Sequence, residues 1–371
     1  MTVRLRYDED HALLRDEARR WLAERVTPAE LRRLAQDARG DEPAWWKQLS
    51  ELGWTGLTVP EKCGGAGLGP IALAVICEES GRRLLPSPLV PTLLAAKAIE
   101  LAGNDAQREH WLPRIARGDA IATLAHAEVD GAWEADQTSA TITGAELLGA
   151  KAHAWAAPLA HVFVVPAREN GALRFAVVEA SAAGVSRDAE VVIDPSRRQG
   201  RVRFERAACD VLAGDAAAAW RALVPWAQLA LAAEMVGGAD AALAMTAAYA
   251  QTRVQFDRPI GSFQAIKHPL VNVLIGVEQL RTLLYVAASA LDAGDAEAPL
   301  LARMAKAAAN ETYPHACNRA VQFHGGYGFT EDCEAHLYLR RALASRVAFG
   351  DTRSQRAAIA SALLDGGTEL P

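Results

Sequence analysis

The chain changes texture twice along its length, and that constrains its fold more than any other feature. Residues 1 to about 120 carry helical patterns, punctuated by Pro28, the turn Gly40-Asp41-Glu42-Pro43 and the loop from Gly64 to Pro70. From about Ala120 to Asp215 short β-rich runs take over: Thr141-Ile142-Thr143, His161 to Val165, Phe175 to Val178 and Arg201 to Phe204, set between Gly, Asp and Asn turns. From Ala216 long helical patterns return, over about Ala217–Thr252, Phe263–Ala293 and Ala298–Phe323, with a last pair over Glu331–Ala348 and Thr352–Leu364. Abundant alanine favours helix throughout. The expectation is an α+β multidomain chain: an all-α N-terminal domain (1–120), a middle β-barrel or sandwich (121–215) and a C-terminal four-helix bundle (216–371).

At 371 residues the chain is long enough for two or three packed units. A net charge of −6 gives no electrostatic footprint for nucleic acid. The five cysteines, at 63, 77, 209, 317 and 333, form no CxxC pair, which favours a reduced, cytoplasmic protein and no metal site. The first 26 residues lack the apolar core of a signal peptide and read as an amphipathic helix, with Leu13, Leu14, Ala18, Trp21, Leu22 and Val26 on one side. The most apolar stretch, Ala227 to Ala250, is interrupted by Glu234 and Asp240 and reads as a core helix, not a membrane span.

Two segments carry chemistry. In Tyr249 to His268, Arg253, Gln255 and Phe256 end a long helix, a turn over Pro259–Gly261 follows, and Phe263-Gln264 opens the next helix. In Gln322 to Ala342, Gly325, Gly326 and Gly328 follow a helix that ends in Gln322. Arginine offers a planar fork for phosphate oxygens, and glycines let a bulky ligand approach the backbone. Together they point to a pyrophosphate-bearing cofactor between helices.

At these residues the chain resembles the acyl-CoA dehydrogenase family of flavoproteins. Gly53 to Gly69 resembles the family's "PE-x-x-GG-x-G" loop, Leu112-Pro113 with Gly118 the lead into its middle domain, and Gly149, Lys151 and the run through Val165 its "G-x-K" strand pair. The resemblance implies FAD as cofactor, an acyl-CoA substrate, a tetramer formed through the bundle and an electron-transfer flavoprotein as acceptor. In the family the arginine and glycine motifs reach across a dimer interface to the neighbour's flavin. Carried over by position, these residues are Arg253, Gln255, Phe256, Phe263, Gln264, Gln322, Gly325 and Gly326. Asp257 stands where the family usually has glycine.

Two further elements of the family pattern are altered. The flavin-ring loop "T-E-P-x-A-G-S-D" corresponds to Leu124-Ala125-His126-Ala127-Glu128 and Val129-Asp130-Gly131, without the hydroxyls. A second ring-contacting segment corresponds to His153-Ala154-Trp155-Ala156-Ala157. The family's catalytic glutamate falls on Phe349 or Gly350, and its alternative position falls on Ala227, beside Gln228. Asp351 is the one neighbouring carboxylate, Glu234 lies two turns along the helix from Ala227, and His324 and His336 are other conceivable bases. Small residues at Ala230, Ala233 and Gly237-Gly238 hint at room for an acyl group. Three readings stay open at this point. The chain is the subunit of a heteromeric acyl-CoA dehydrogenase that lacks the glutamate and completes a partner's FAD site (α2β2). Alternatively it is a self-sufficient enzyme with Asp351 as base, in a homotetramer. The third reading is a non-redox scaffold binding acyl-CoA or a partner.

Overall fold

The computed structural model describes residues 5–364. Six helices come first: α1 (Glu9–Arg25), α2 (Pro28–Gln36), α3 (Pro43–Glu51), α4 (Pro70–Arg82), α5 (Leu89–Ala102) and α6 (Asp105–Ala116). Local chemistry sets their starts. Asp8 and Asn104 each accept the amide three residues on and receive a side chain in return, closing capping boxes on α1 and α6. In α1, Ala18, Trp21 and Leu22 are buried as the spacing predicts, whereas Leu13 points into solvent.

The middle of the chain forms one curled sheet. Its strands are β1 (Ala122–Leu124), β2 (Thr141–Thr143), β3 (Glu146–Trp155), β4 (Val162–Glu169), β5 (Ala172–Glu179), β6 (Val185–Ala189), β7 (Gln199–Ala208) and β8 (Asp210–Val211). They run in the order β6-β7-β3-β2-β4-β5-β8, and β1 pairs in parallel with β4. The first six residues of β4 are buried without alternation, as a strand covered on both faces should be. Phe163, Val165 and Phe204 head its core, with the two phenylalanine rings edge to face at 6.1 Å.

Three long helices follow, α7 (Ala216–Thr252), α8 (Gln264–Asp292) and α9 (Ala298–His324), then the short pair α10 (Ala335–Ser345) and α11 (Thr352–Leu364). Helix α9 packs against α8, α10 and α11. Residues 227–239 of α7 are buried all round, the signature of a central core helix. Both α7 and α8 are long and apolar enough to cross a membrane by composition; the apolar stretch of α7 is mostly buried, whereas α8 keeps Val271, Leu274 and Ile275 about half exposed.

The chain packs into two compact units. One gathers the described parts of Met1–Arg32, Pro70–Leu85 and Gln228–Pro371; the other gathers Arg33–Gly69 and Pro86–Ala227. The N-terminal helices are therefore shared out: α1 and α4 pack with the bundle, whereas α3, α5 and α6 pack with the sheet. The reason is visible at α4, which lies backbone to backbone on α7. A Cβ on Gly237 would stand 1.8 Å from the Glu78 carbonyl oxygen, and one on Gly81 2.0 Å from that of Glu234. A Cβ on Gly238 would meet the Tyr313 ring at 2.4 Å. The small residues at 237 and 238 thus serve helix packing; the space they leave is filled by α4 and Tyr313, not held open for an acyl group.

Candidate functional site

The arginine segment is a miniature hairpin. Val254–Gln255 (β9) pairs with Arg258–Pro259 (β10), and the turn residues Phe256 and Asp257 both have positive φ, 55° and 62°. Two successive left-handed residues are what a tight two-residue hairpin requires, and an aspartate tolerates that conformation well. This gives Asp257 a local role at the position where the family has glycine. Arg253, Gln255 and Gln264 are exposed, and Phe256 is 85% exposed with its edge against the half-buried ring of Phe263. The Arg258 guanidinium lies 4.1 Å from the Phe263 ring centre.

The glycine segment lies on the same face. Gln322 is exposed near the end of α9, and Gly325 has φ 62° and ψ −141°, a conformation that suits glycine. Added Cβ atoms on Gly325 and Gly326 would meet nothing within 4 Å, so the space above both is open. Tyr249, one turn before Arg253, stacks on His324 at 4.4 Å and on Tyr327 at 6.0 Å. The buried His324 also bonds the Ala320 carbonyl at 2.7 Å. These rings tie the end of α7 to the end of α9 and so bring the two motifs together. His324 is a packing residue. Tyr249 lies within the arginine motif, and its joining role comes from stacking partners more than seventy residues away.

Phe349 and Gly350, the positions onto which the resemblance carries the base, are occupied by packing. Phe349 is 2% exposed, and its carbonyl accepts bonds from Gln355 Nε2 at 2.6 Å and Gln228 Nε2 at 3.5 Å, both buried amides. Gly350 has φ 100° and its carbonyl accepts from Asn310 Nδ2 at 3.2 Å and Lys306 Nζ at 3.4 Å. Lys306, fully buried on α9, also bonds the Ser345 carbonyl at 3.2 Å and Asn310, and burial pulls its ammonium down to about 7. Four side chains from three helices therefore hold the turn between α10 and α11. Asp351 is exposed, and its carboxylate accepts the Ser354 amide at 2.8 Å, which lowers its pKa. That is helix-cap geometry, and the shift runs opposite to the raised pKa a general base needs. Ala227 is buried and carries no acid, and Glu234 is buried with Arg341 at 3.7 Å. His336 is half-buried on α10, its pKa lowered by burial.

In the sheet the ring loop turns inward. Glu128 accepts bonds from Thr138 Oγ at 3.1 Å, the Ser139 amide at 3.2 Å, Ser139 Oγ and the fully buried Lys151 ammonium. Desolvation works against that carboxylate, but the bonds from Lys151 and Ser139 outweigh it and hold it below its ordinary range. Neighbouring His126 is half-buried against Trp220, and desolvation pulls its pKa down to about 4 and keeps it neutral. His153 is exposed and bonds Glu190 at 3.0 Å, while Trp155 is covered by the Arg197 guanidinium at 4.5 Å. The residues that the resemblance assigns to the flavin ring are thus engaged with side chains outside those segments: Glu128 with Lys151, His126 with Trp220, His153 with Glu190 and Trp155 with Arg197. Lys151 was legible in the "G-x-K" pattern; that Glu128 is its counter-ion was not, because the two lie on separate segments.

A helical N-terminal part, a curled sheet and a C-terminal helical bundle form the architecture of the acyl-CoA dehydrogenase fold. Residues 8–119 match the family model described as acyl-CoA dehydrogenase, N-terminal domain, and residues 217–364 the acyl-CoA dehydrogenase, C-terminal domain. The chain belongs to the acyl-CoA dehydrogenase family. It is 32% identical to acyl-CoA dehydrogenase IpdE2 of Mycobacterium tuberculosis, over 90% of this chain and 91% of that protein. Among solved structures it is similar to a variant of the Tcur3481-Tcur3483 steroid acyl-CoA dehydrogenase (30% identity, TM-score 0.90, covering 97% of this chain and 99% of that one). It is also similar to a chain of the ChsE4-ChsE5 complex from Mycobacterium tuberculosis (28%, TM-score 0.88, covering 97% and 98%). FAD is the family's redox group.

Proposed function

We propose that this chain is the non-catalytic subunit of a heteromeric, cytoplasmic acyl-CoA dehydrogenase and completes the FAD site of an unlike partner. The carrying observation is the buried Phe349 at the base position, gripped by Gln228 and Gln355, with Asp351 committed to capping α11. The fit to FAD divides in the same sense. The exposed hairpin and the open backbone at Gly325 and Gly326 suit the phosphates and adenosine of a cofactor held by another chain. The sheet does not suit the flavin ring, since Glu128 and Lys151 neutralise each other there.

In this reading Arg253 and Gln255 bind the cofactor's phosphates, Phe256 and Phe263 cover it from water, and Gln264, Gln322, Gly325 and Gly326 orient it. FAD held there would supply the acceptor for the hydride leaving the β-carbon of the acyl thioester, with an electron-transfer flavoprotein as the onward acceptor. The carboxylate that removes the α-proton belongs to the partner. The apolar face of α8, with Val271, Leu274 and Ile275 exposed, supports assembly through the bundle into an α2β2 tetramer. Two structural relatives are named as paired proteins, one of them a steroid acyl-CoA dehydrogenase, which supports a steroid side-chain acyl group.

Flavin content per chain, read from visible absorption after gel filtration, tests this. The expected result is none for the chain alone and about one per unlike pair after co-expression with a neighbouring dehydrogenase gene. One flavin per chain, with acyl-CoA oxidation by the chain alone, would overturn the reading in favour of the self-sufficient enzyme. Acyl-CoA binding with no flavin in either preparation would favour the scaffold.

A further inference from the structure

A half-open cavity of about 300 Å³ lies within the unit that contains the bundle, lined by none of the proposed cofactor residues. Val26 and Leu31, either side of the α1–α2 turn, form part of its apolar wall, with Met245 on α7 and Tyr338 on α10. Its charge comes from Arg82 and Arg83 at the end of α4 and from Glu334 just before α10. Two of these charges are already answered: Arg82 bonds Glu79 at 3.2 Å and also Asp240, and Glu334 pairs with Arg32. Among the described residues no carboxylate pairs with the half-buried Arg83.

The turn that carries Arg83 is fixed. Leu84 sits in the left-handed region at φ 52° and is fully buried; its amide bonds the Gly81 carbonyl at 3.1 Å, and that of Leu85 the Ser80 carbonyl at 3.0 Å. A leucine in that conformation is strained relative to glycine, and its burial and these bonds hold it there. Arg83 is thereby held beside an apolar hollow with a positive charge unanswered. Such a hollow favours a ligand with one anionic end and an aliphatic body, because arginine forms paired charge-assisted bonds with a carboxylate and the body displaces water from apolar walls.

We propose that this cavity binds a small monocarboxylate, its carboxylate on Arg83 and its chain against Val26, Leu31 and Met245. The site requires neither flavin nor partner, so its test is independent of the subunit role. Titration calorimetry on the whole chain, with sodium octanoate as probe and octanamide as its uncharged counterpart, reads it directly. The expected result is saturable octanoate binding, with octanamide about tenfold weaker and Arg83→Gln weaker by a similar factor. Met245→Trp, which fills the hollow without changing its charge, should abolish binding, and it carries the test if Arg83→Gln does not fold. No octanoate binding, equal binding of octanamide, or full affinity in a folded Met245→Trp variant would each overturn the proposal.

Discussion

At the scale of single residues, the turn between α10 and α11 joins stability to pH. Lys306 is buried and titrates near 7 in the folded chain, whereas in the unfolded chain it titrates near its ordinary value of 10.5. Between those values the unfolded state binds more protons, so raising the pH favours the folded state. From pH 7 to pH 9 this contribution is about 2 kcal/mol. Lys306→Met should lose that gain, and urea titrations of wild type and variant at both pH values measure it. Subtracting the two proteins removes the opposing effect of buried Cys317, whose thiol is raised above its ordinary value. Asp351 gives a contrasting expectation. Asp351→Ala removes a helix cap and should cost about 1 kcal/mol of stability. Turnover of the assembled enzyme should stay within about threefold of wild type, since truncating a cap on a held turn leaves the reacting groups in place; a loss of several orders of magnitude would make Asp351 the base.

At the scale of helices and strands, glycines divide into two kinds, and paired substitutions separate them. Gly237→Ala would drive a methyl into the Glu78 carbonyl, forcing α4 and α7 apart. The expected cost is about 3 kcal/mol, seen as a fall in Tm without any cofactor present. Gly326→Ala meets open space and no positive φ. Its Tm should match wild type, while flavin retention by the assembled pair should fall. The sequence distinguishes these roles poorly. Helix periodicity and the arginine and glycine motifs were legible because both follow from local spacing. The hairpin at Phe256-Asp257 was not, since two positive-φ residues without glycine give a weak signal. The clamp of Gln228, Lys306, Asn310 and Gln355 was hidden for another reason: its members meet only when α7, α9 and α11 converge. The order of textures along the chain conveyed three parts, yet the N-terminal helices divide between two units, because the close approach of Gly81 to Glu234 and of Gly237 to Glu78 leaves no local trace.

At the scale of the whole molecule, the apolar side of α8 and the exposed hairpin are adjacent features of one unit. A groove of about 520 Å³ runs between them, lined by Leu243, Ala247, Pro259, Leu270 and Val271. Surfaces of this kind mark association sites. Ile275→Asp places a charge on that face without touching the core and should convert the assembled species to smaller ones on gel filtration. Survival of the assembly would place the contact elsewhere. The packed turn at Phe349 has a historical implication. Placing a carboxylate at that one position would bury a charge among amides already committed to the backbone, and such a substitution is strongly destabilising. On the proposed subunit role, a chain with this turn packed shut depends on its partner as by a ratchet: losing the second gene would mean losing the reaction.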